Sequence, residues 1–238
     1  MQAAEDQEPM YRLLKPILDF LLAALLLLAL LPLLLPIAIA LRVTGEGYIW
    51  YFQERVGYRN KIFKIWKFAT MLLESPNMDG GIITTRNDPR ITPLGGILRK
   101  TKVNELPQII NILVGDMSFV GPRPVMQNSF IHYPEPVQNV IYSVKPGLTG
   151  VGSIVFRDEE ELIGAAKARG EDAWKLYTDE IYPYKGELEY WYQNNQSFTL
   201  DMTLVPDFSQ VRSDNQVLNL SAFEVKFDEN RPFFTEGV

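Results

Sequence analysis

The chain has no cysteine and a single histidine, His132, among its 238 residues. Without cysteine there is no disulfide, no thiol nucleophile and no thiolate metal site. One histidine excludes His-rich metal centres and paired-His catalysis, and the lone imidazole is read as structural. A Walker A sequence, a GxGxxG fingerprint and internal repeats are also missing. No nucleic-acid recognition motif or dense Lys/Arg run occurs, so nucleic acid is set aside as a partner. Any chemistry here must rest on carboxylates, amides, lysines and arginines.

Charge is missing from one long stretch and uneven elsewhere. Phe20–Leu41 is 22 residues without a charged side chain, mostly leucine. That is enough to cross a bilayer as a helix, which takes about 20 apolar residues. It is read as too long for a cleaved signal peptide. Pro32 and Pro36 interrupt the run and predict a kink. Arg12 and Lys15 precede it, and Arg42, Arg55, Arg59 and Lys61 follow it. Positive residues stay on the cytoplasmic side. A helix that enters, bends and leaves by the same face satisfies both flanks, whereas a straight span leaves one outside; both forms stay open at this point. Lys15 and Asp19 are spaced to pair along the helix. Tyr48, Trp50, Tyr51 and Phe52 suit a membrane interface or a core strand. Downstream, residues 42–123 hold 12 Lys/Arg against 7 Asp/Glu, a net of +5, and residues 157–238 hold 8 against 17, a net of −9. The basic segment suggests an anionic partner.

Trp50–Phe52 and Ile62–Phe68 read as short strands joined by a Gly57–Asn60 turn. Met71–Met78 reads as a short helix ended by Asp79–Gly81, with turns at Asn87–Pro89 and Pro93–Gly96, and Leu94–Lys102 as helical. In KTKVNELPQIINILVGDMSFVGPRP, Lys100–Pro124, the residues Leu106, Ile109, Ile110 and Leu113 recur at helical spacing. Asn104 is an N-cap candidate, and Pro107 is tolerated in a first turn. Glu105 then stands at a helix start, where free N–H groups gather. Asp116 follows in a Gly–Asp turn, and Arg123 is held between Pro122 and Pro124, whose φ is fixed. A stiffly mounted guanidinium suits phosphate oxygens. Together these point to magnesium-dependent phosphoryl transfer. Lys145–Gly150 reads as a turn-rich loop. Asp158–Arg169, Asp172–Ile181 and Tyr184–Gln193 read as helices, with Pro183 separating the last two. The last 40 or so residues show no clear period.

The ordered set Lys15–Pro16, the proline-broken apolar run, QERVG (Gln53–Gly57), Lys67–Met71, LRK-T, ELPQ, GDMS-x-VGPRP and KPG-x-TG resembles the bacterial sugar transferases, the monotopic phosphoglycosyl transferases. The resemblance covers about residues 11–200. It implies a mainly helical α+β chain: a tail (1–10), a re-entrant membrane helix with an interfacial segment (11–47), a small cytosolic catalytic domain (48–200) with short strands and amphipathic interfacial helices, and an acidic, aromatic extension (201–238). It implies a bacterial inner-membrane enzyme facing the cytoplasm, which moves a sugar-1-phosphate from a UDP-sugar to polyprenyl (undecaprenyl) phosphate in a phospholipid membrane and releases UMP. A homodimer is left open.

The resemblance also implies an acidic pair that works with Mg²⁺, its Asp forming a phospho-sugar intermediate. Glu105 is the metal ligand and catalytic carboxylate, with Asn104 beside it. Arg99 and Arg123 hold phosphate or nucleotide, and Lys67 and Asp116 are further substrate-side candidates. Three positions depart from the pattern. Leu31 stands where a serine is usual, and Ala69 where an arginine is. Asn104 stands where an Asp is usual, and an amide cannot be the nucleophile. Three alternatives follow: Glu105 attacks while Asn104 places substrate, the site is stalled, or the protein binds without turnover.

Overall fold

The computed structural model describes residues 2–78, 88–156 and 159–204. The expected turn at Asp79–Gly81, part of that at Asn87–Pro89 and the extension beyond residue 204 lie outside them. The described chain is mainly helical, with two two-stranded sheets.

The apolar run forms α1, Gln2–Thr44, as one unbroken helix that starts inside the expected tail and carries Pro32 and Pro36 within it. Among the described residues its Met10–Thr44 stretch is the one helix long and apolar enough to cross a membrane. One face of α1 is tied to the rest of the protein along its length, through residues spaced three or four apart. Tyr11 donates to Asp201 at 2.9 Å, and Lys15 is ion-paired with the same carboxylate. Asp19 accepts the N–H of Phe119. The Lys15–Asp19 pair expected along the helix is therefore replaced by two contacts across it, because burial makes a fixed partner on the domain the better one. Further along, Ala23 packs with Ile65, Ile109 and Ile112. Leu34 and Leu41 pack with Phe68 and Leu98. This packing on both sides of the prolines holds the helical path where each ring removes a backbone hydrogen bond. The opposite face leaves Leu13, Ile17, Leu21, Leu25, Leu28 and Ile39 exposed.

An antiparallel hairpin follows: β1 (Trp50–Val56) and β2 (Ile62–Phe68), turning at Tyr58–Asn60. β1 runs four residues past its expected end. Alternation puts Trp50, Phe52, Trp66 and Phe68 on one face, in edge and stacked contacts. Gln53, Arg55, Ile65 and Lys67 lie on the other. Met71–Met78 is not the helix expected: Met71 bridges Ile91, and only Ser75–Asn77 forms a 3₁₀ turn. α2 (Pro93–Lys100) starts one residue before its expected first residue. Thr92 caps it by accepting from the N–H of Gly95, and Pro93 opens it instead of making a turn.

A 3₁₀ segment, Val103–Gln108, leads into α3 (Ile109–Leu113). β3 (Ser118–Val120) pairs in parallel with β4 (Gly147–Thr149), so the KPGLTG stretch contributes a strand and is not only a loop. Glycine permits that approach: a Cβ on Gly147 would lie 2.1 Å from the backbone N of Gly121. Between these strands lie α4 (Gln127–Phe130) and α5 (Glu135–Val140). After them come α6 (Val151–Val155), α7 (Glu159–Ala168) and α8 (Ala173–Leu176). α8 continues through a π turn, Tyr177–Ile181, straight into α9 (Tyr182–Asn195). Pro183 therefore does not separate two helices. The N–H of Tyr182 bonds to Tyr177, five residues back, and the wide turn leaves Pro183 in a first turn where no donor is required. α10 (Phe198–Leu204) crosses the expected 200/201 boundary, with Asp201 and Leu204 buried.

Candidate active site

Glu105 sits in the 3₁₀ segment, not in the first turn of an α-helix. Lys102, in the left-handed region at φ 59°, reverses the chain just before it. Asn104 is consequently inside the segment and caps nothing; Gln108 takes the N-cap position of α3. Pro107 is part of the reason: lacking an N–H, it fits the turn but cannot extend α-helical bonding backward.

Three elements meet at this carboxylate. Lys67, near the end of β2, places its ammonium 2.7 Å from Glu105 Oε1. Arg123, on the loop after β3, brings Nη2 to 3.7 Å from the same oxygen. Arg55, from β1, contributes to the positive field around Glu105 and Arg123. Its Nη2 donates to Gln53 at 2.6 Å and its Nη1 to Pro124 O at 3.4 Å, while its Nε is buried without a hydrogen-bond partner among the described residues. Sequence reasoning did not place Arg55 in the site, since it ended the strand at Phe52. The signal was the two-residue alternation Gln53–Arg55, which continues the strand on the Lys67 face.

The loop carrying Arg123 is fixed through its backbone. Gly147 N–H donates to Pro122 O at 2.9 Å. Tyr142 donates its hydroxyl hydrogen to Arg123 O at 2.7 Å and accepts from Val125 N–H at 3.1 Å. Val125 O accepts from Val56 N–H at 2.9 Å.

Burial disfavours charge on Glu105, yet Lys67 and Arg123 hold its carboxyl down to about 2. Burial also pulls Lys67 down to about 8, against the opposing field of Glu105. Burial lowers Arg55 to about 10. Near pH 7 the Glu105 carboxylate thus lies in the field of Lys67, Arg123, Lys102 and Arg55, and among these described groups the surplus is positive. Anion binding should weaken as pH rises through about 8, because Lys67 then loses its proton. Lys67→Arg keeps its charge and should flatten that decline. Titration calorimetry with sulfate, an anion that keeps its charge from about pH 6.5 to 9.5, checks both.

Glu105, Lys67 and Arg123 are brought together, with Asn104 adjacent in the chain. Asn104 is buried and its Oδ1 has no hydrogen-bond partner among the described residues. Arg99 lies at the end of α2, where its charge acts on Asp88. Asp116 follows Gly115, which turns at φ 88°, and its N–H bonds to Asn111 O at the far end of α3 from Glu105. Neither makes an ion pair with Glu105 among the described residues.

A family model described as bacterial sugar transferase matches residues 10–211. The chain belongs to the bacterial sugar transferase family. Among the relatives of this chain, the UDP-glucose:undecaprenyl-phosphate glucose-1-phosphate transferase of Escherichia coli K12 is 40% identical over 165 residues, covering 67% of this chain and 35% of that protein. The UDP-N-acetylgalactosamine-undecaprenyl-phosphate N-acetylgalactosaminephosphotransferase of Aeromonas hydrophila is 30% identical over 207 residues, covering 86% and 44%. The exopolysaccharide production protein PSS of Rhizobium leguminosarum is 35% identical over 190 residues, covering 77% and 86%. The chain thus spans between a third and a half of the first two proteins and most of the third. The segment carrying Lys67, Glu105 and Arg123 lies wholly within the family match.

Proposed function

We propose that this protein is a membrane-associated phosphoglycosyl transferase that moves a sugar-1-phosphate from a UDP-sugar to polyprenyl phosphate and releases UMP. The observation that carries the reading is Glu105, a carboxylate kept ionised by Lys67 and Arg123 inside a site with surplus positive charge. A diphosphate supplies the missing anion, and arginines neutralise charge developing on phosphate oxygens. The names of two relatives, each specifying undecaprenyl phosphate and a sugar-1-phosphate or sugar phosphate transfer, support the substrate class.

Glu105 acts as the nucleophile in this reading. A carboxylate oxygen attacks the sugar-bearing phosphorus of the UDP-sugar. The new P–O bond forms as the bond to UMP breaks, and UMP leaves with the electron pair. A polyprenyl phosphate oxygen then attacks the same phosphorus and returns the Glu105 carboxylate. Arg123 and Lys67 hold the phosphates through both steps, and Arg55 keeps the local field positive. Magnesium suits oxygen donors: Asn104 Oδ1, next to Glu105 in the chain, is buried without a hydrogen-bond partner among the described residues, and the two residues would hold the ion. When bound, the ion supplies Lewis-acid neutralisation of the diphosphate.

α1 supports a membrane arrangement of this kind. Tyr11 and Lys15 near one end, and Leu41 near the other, contact the same domain. A helix crossing the bilayer would carry its two ends to opposite sides, about 30 Å of hydrocarbon apart. A monotopic placement, with the leucine face in lipid and the domain on the cytoplasmic face, keeps both contacts and both positive flanks on one side. The site then lies near the headgroups, where a lipid phosphate reaches it without leaving the bilayer.

Intact mass after incubation with UDP-glucose or UDP-N-acetylgalactosamine and Mg²⁺, without lipid, should show a sugar-phosphate adduct, mapped by fragmentation to Glu105. Adding undecaprenyl phosphate should discharge it. Absence of both the adduct and UMP release across a panel of UDP-sugars would sink the reading.

A further inference from the structure

Glu189 is the buried acid that this mechanism does not use. It lies on α9, 2% exposed, well away in sequence from the residues that meet at Glu105. Pro122 and Pro124 have no N–H, so Arg123 supplies the only backbone donor in the PRP triplet. That donor goes to Glu189 Oε1 at 3.3 Å. The N–H of Gly152 supports the same carboxyl group. The seat is shaped for it: a Cβ on Gly152 would lie 2.6 Å from Oε1. The opposite side of Arg123 is held by the Tyr142 hydroxyl at 2.7 Å. The charge of nearby Lys185, one turn earlier on α9, is engaged by Glu159. Burial pushes the Glu189 carboxyl up to about 7, against Arg123, Lys185 and Gly152, so a neutral amide is a fair mimic of one of its ordinary states.

A buried carboxyl with one oxygen on a loop N–H and the other, Oε2, without a hydrogen-bond partner among the described residues is a poor choice for stability alone. Its geometry is explained by what it grips. We infer that Glu189 is a positioning residue: it holds the backbone of Arg123 from behind and so fixes the angle at which the guanidinium faces Glu105 and an incoming phosphate. The inference rests on the phosphate-binding role proposed for Arg123. It adds a second layer to the site, contributed by the C-terminal helices. The entropic gain is that of pre-organisation, since a guanidinium already aimed loses less freedom on binding.

The test combines amide hydrogen exchange with binding of UDP and Mg²⁺, on the full chain in detergent. Glu189→Ala should speed exchange of the peptide holding the Arg123 amide at least tenfold while leaving the β1–β2 hairpin unchanged. Glu189→Gln retains the acceptor oxygen and should restore slow exchange. Glu189→Asp, one methylene short, should show the Ala pattern at smaller amplitude, and it serves if the alanine variant is too unstable to purify. Glu189→Ala should also weaken UDP binding about tenfold, and that loss should vanish on an Arg123→Ala background, because the two act as one unit. Unchanged exchange at Arg123, or a loss of affinity that persists in full without the Arg123 side chain, would overturn the assignment. If the unmodified chain bound no UDP while loop exchange still responded, the clamp would stand and the transferase reading would fall.

Discussion

Glu105→Gln should lower UMP release by at least about a thousandfold, with folding retained. Removing a nucleophile or a charge-stabilising group from a preorganised site costs factors of this size. The amide keeps the shape of the side chain and removes only its charge, so the effect on stability is the smaller one. Its sign can be worked out. The carboxyl is held down to about 2 in the folded protein, below the ordinary value of 4.5. Its charge therefore contributes stability that is fully present above about 4.5 and is lost as pH falls toward about 2. At pH 7 the variant should be modestly less stable, and near pH 3 the difference should shrink, as thermal melts at the two values will show. Activity behaves differently, staying low at every pH, because no proton equilibrium restores a carboxylate to residue 105. Wild-type-like turnover in Glu105→Gln would remove this residue from the chemistry.

How much of this was legible in the sequence depended on whether the deciding interaction was local. The β1–β2 hairpin was readable because aromatic and β-branched residues crowd Trp50–Phe52 and Ile62–Phe68 around a turn. A short helix after Glu105 was readable from the spacing of Ile109 and Leu113, but Glu105 itself lies in the 3₁₀ segment before that helix. Asn104 was misread as a cap because cap rules assume an α-helix begins there. The left-handed Lys102 and the following 3₁₀ segment instead delay that beginning to Ile109. Lys15 and Asp19 have helical spacing, but Asp201 and the backbone of Phe119, more than 90 residues away, capture them. Pro183 announced a break that one wide turn absorbed. Arg55 and Glu189 were missed for related reasons. Arg55 lay just past the expected end of a strand, and Glu189 lay inside a stretch read only as a helix. No spacing rule links Glu189 to Arg123, 66 residues earlier. Only the fold brings them together.

Asn104→Asp should reduce transfer by roughly ten- to a hundredfold at limiting Mg²⁺, although it creates the acidic pair that the family resemblance implies. Asn104 is buried, and its Oδ1 has no donor within hydrogen-bond range among the described residues. A carboxylate placed there would be desolvated with no hydrogen bond waiting for it. It would also sit beside Glu105, whose charge Lys67 and Arg123 now hold in place. Without a bound metal, two adjacent carboxylates resist ionising together, so the pair would retain a proton near neutral pH and the nucleophile would be partly neutralised. The positive surplus that draws in the diphosphate would fall as well. The loss should be larger in catalytic rate than in affinity for UDP, because Arg123, Lys67 and Arg55 remain. Rate against pH gives the sharper reading: the variant should recover activity as pH rises and the shared proton leaves, until Lys67 itself deprotonates near 8. If the substitution instead raised transfer severalfold, the attacking oxygen would belong to position 104, and the native chain would be a restrained form of its family's enzyme.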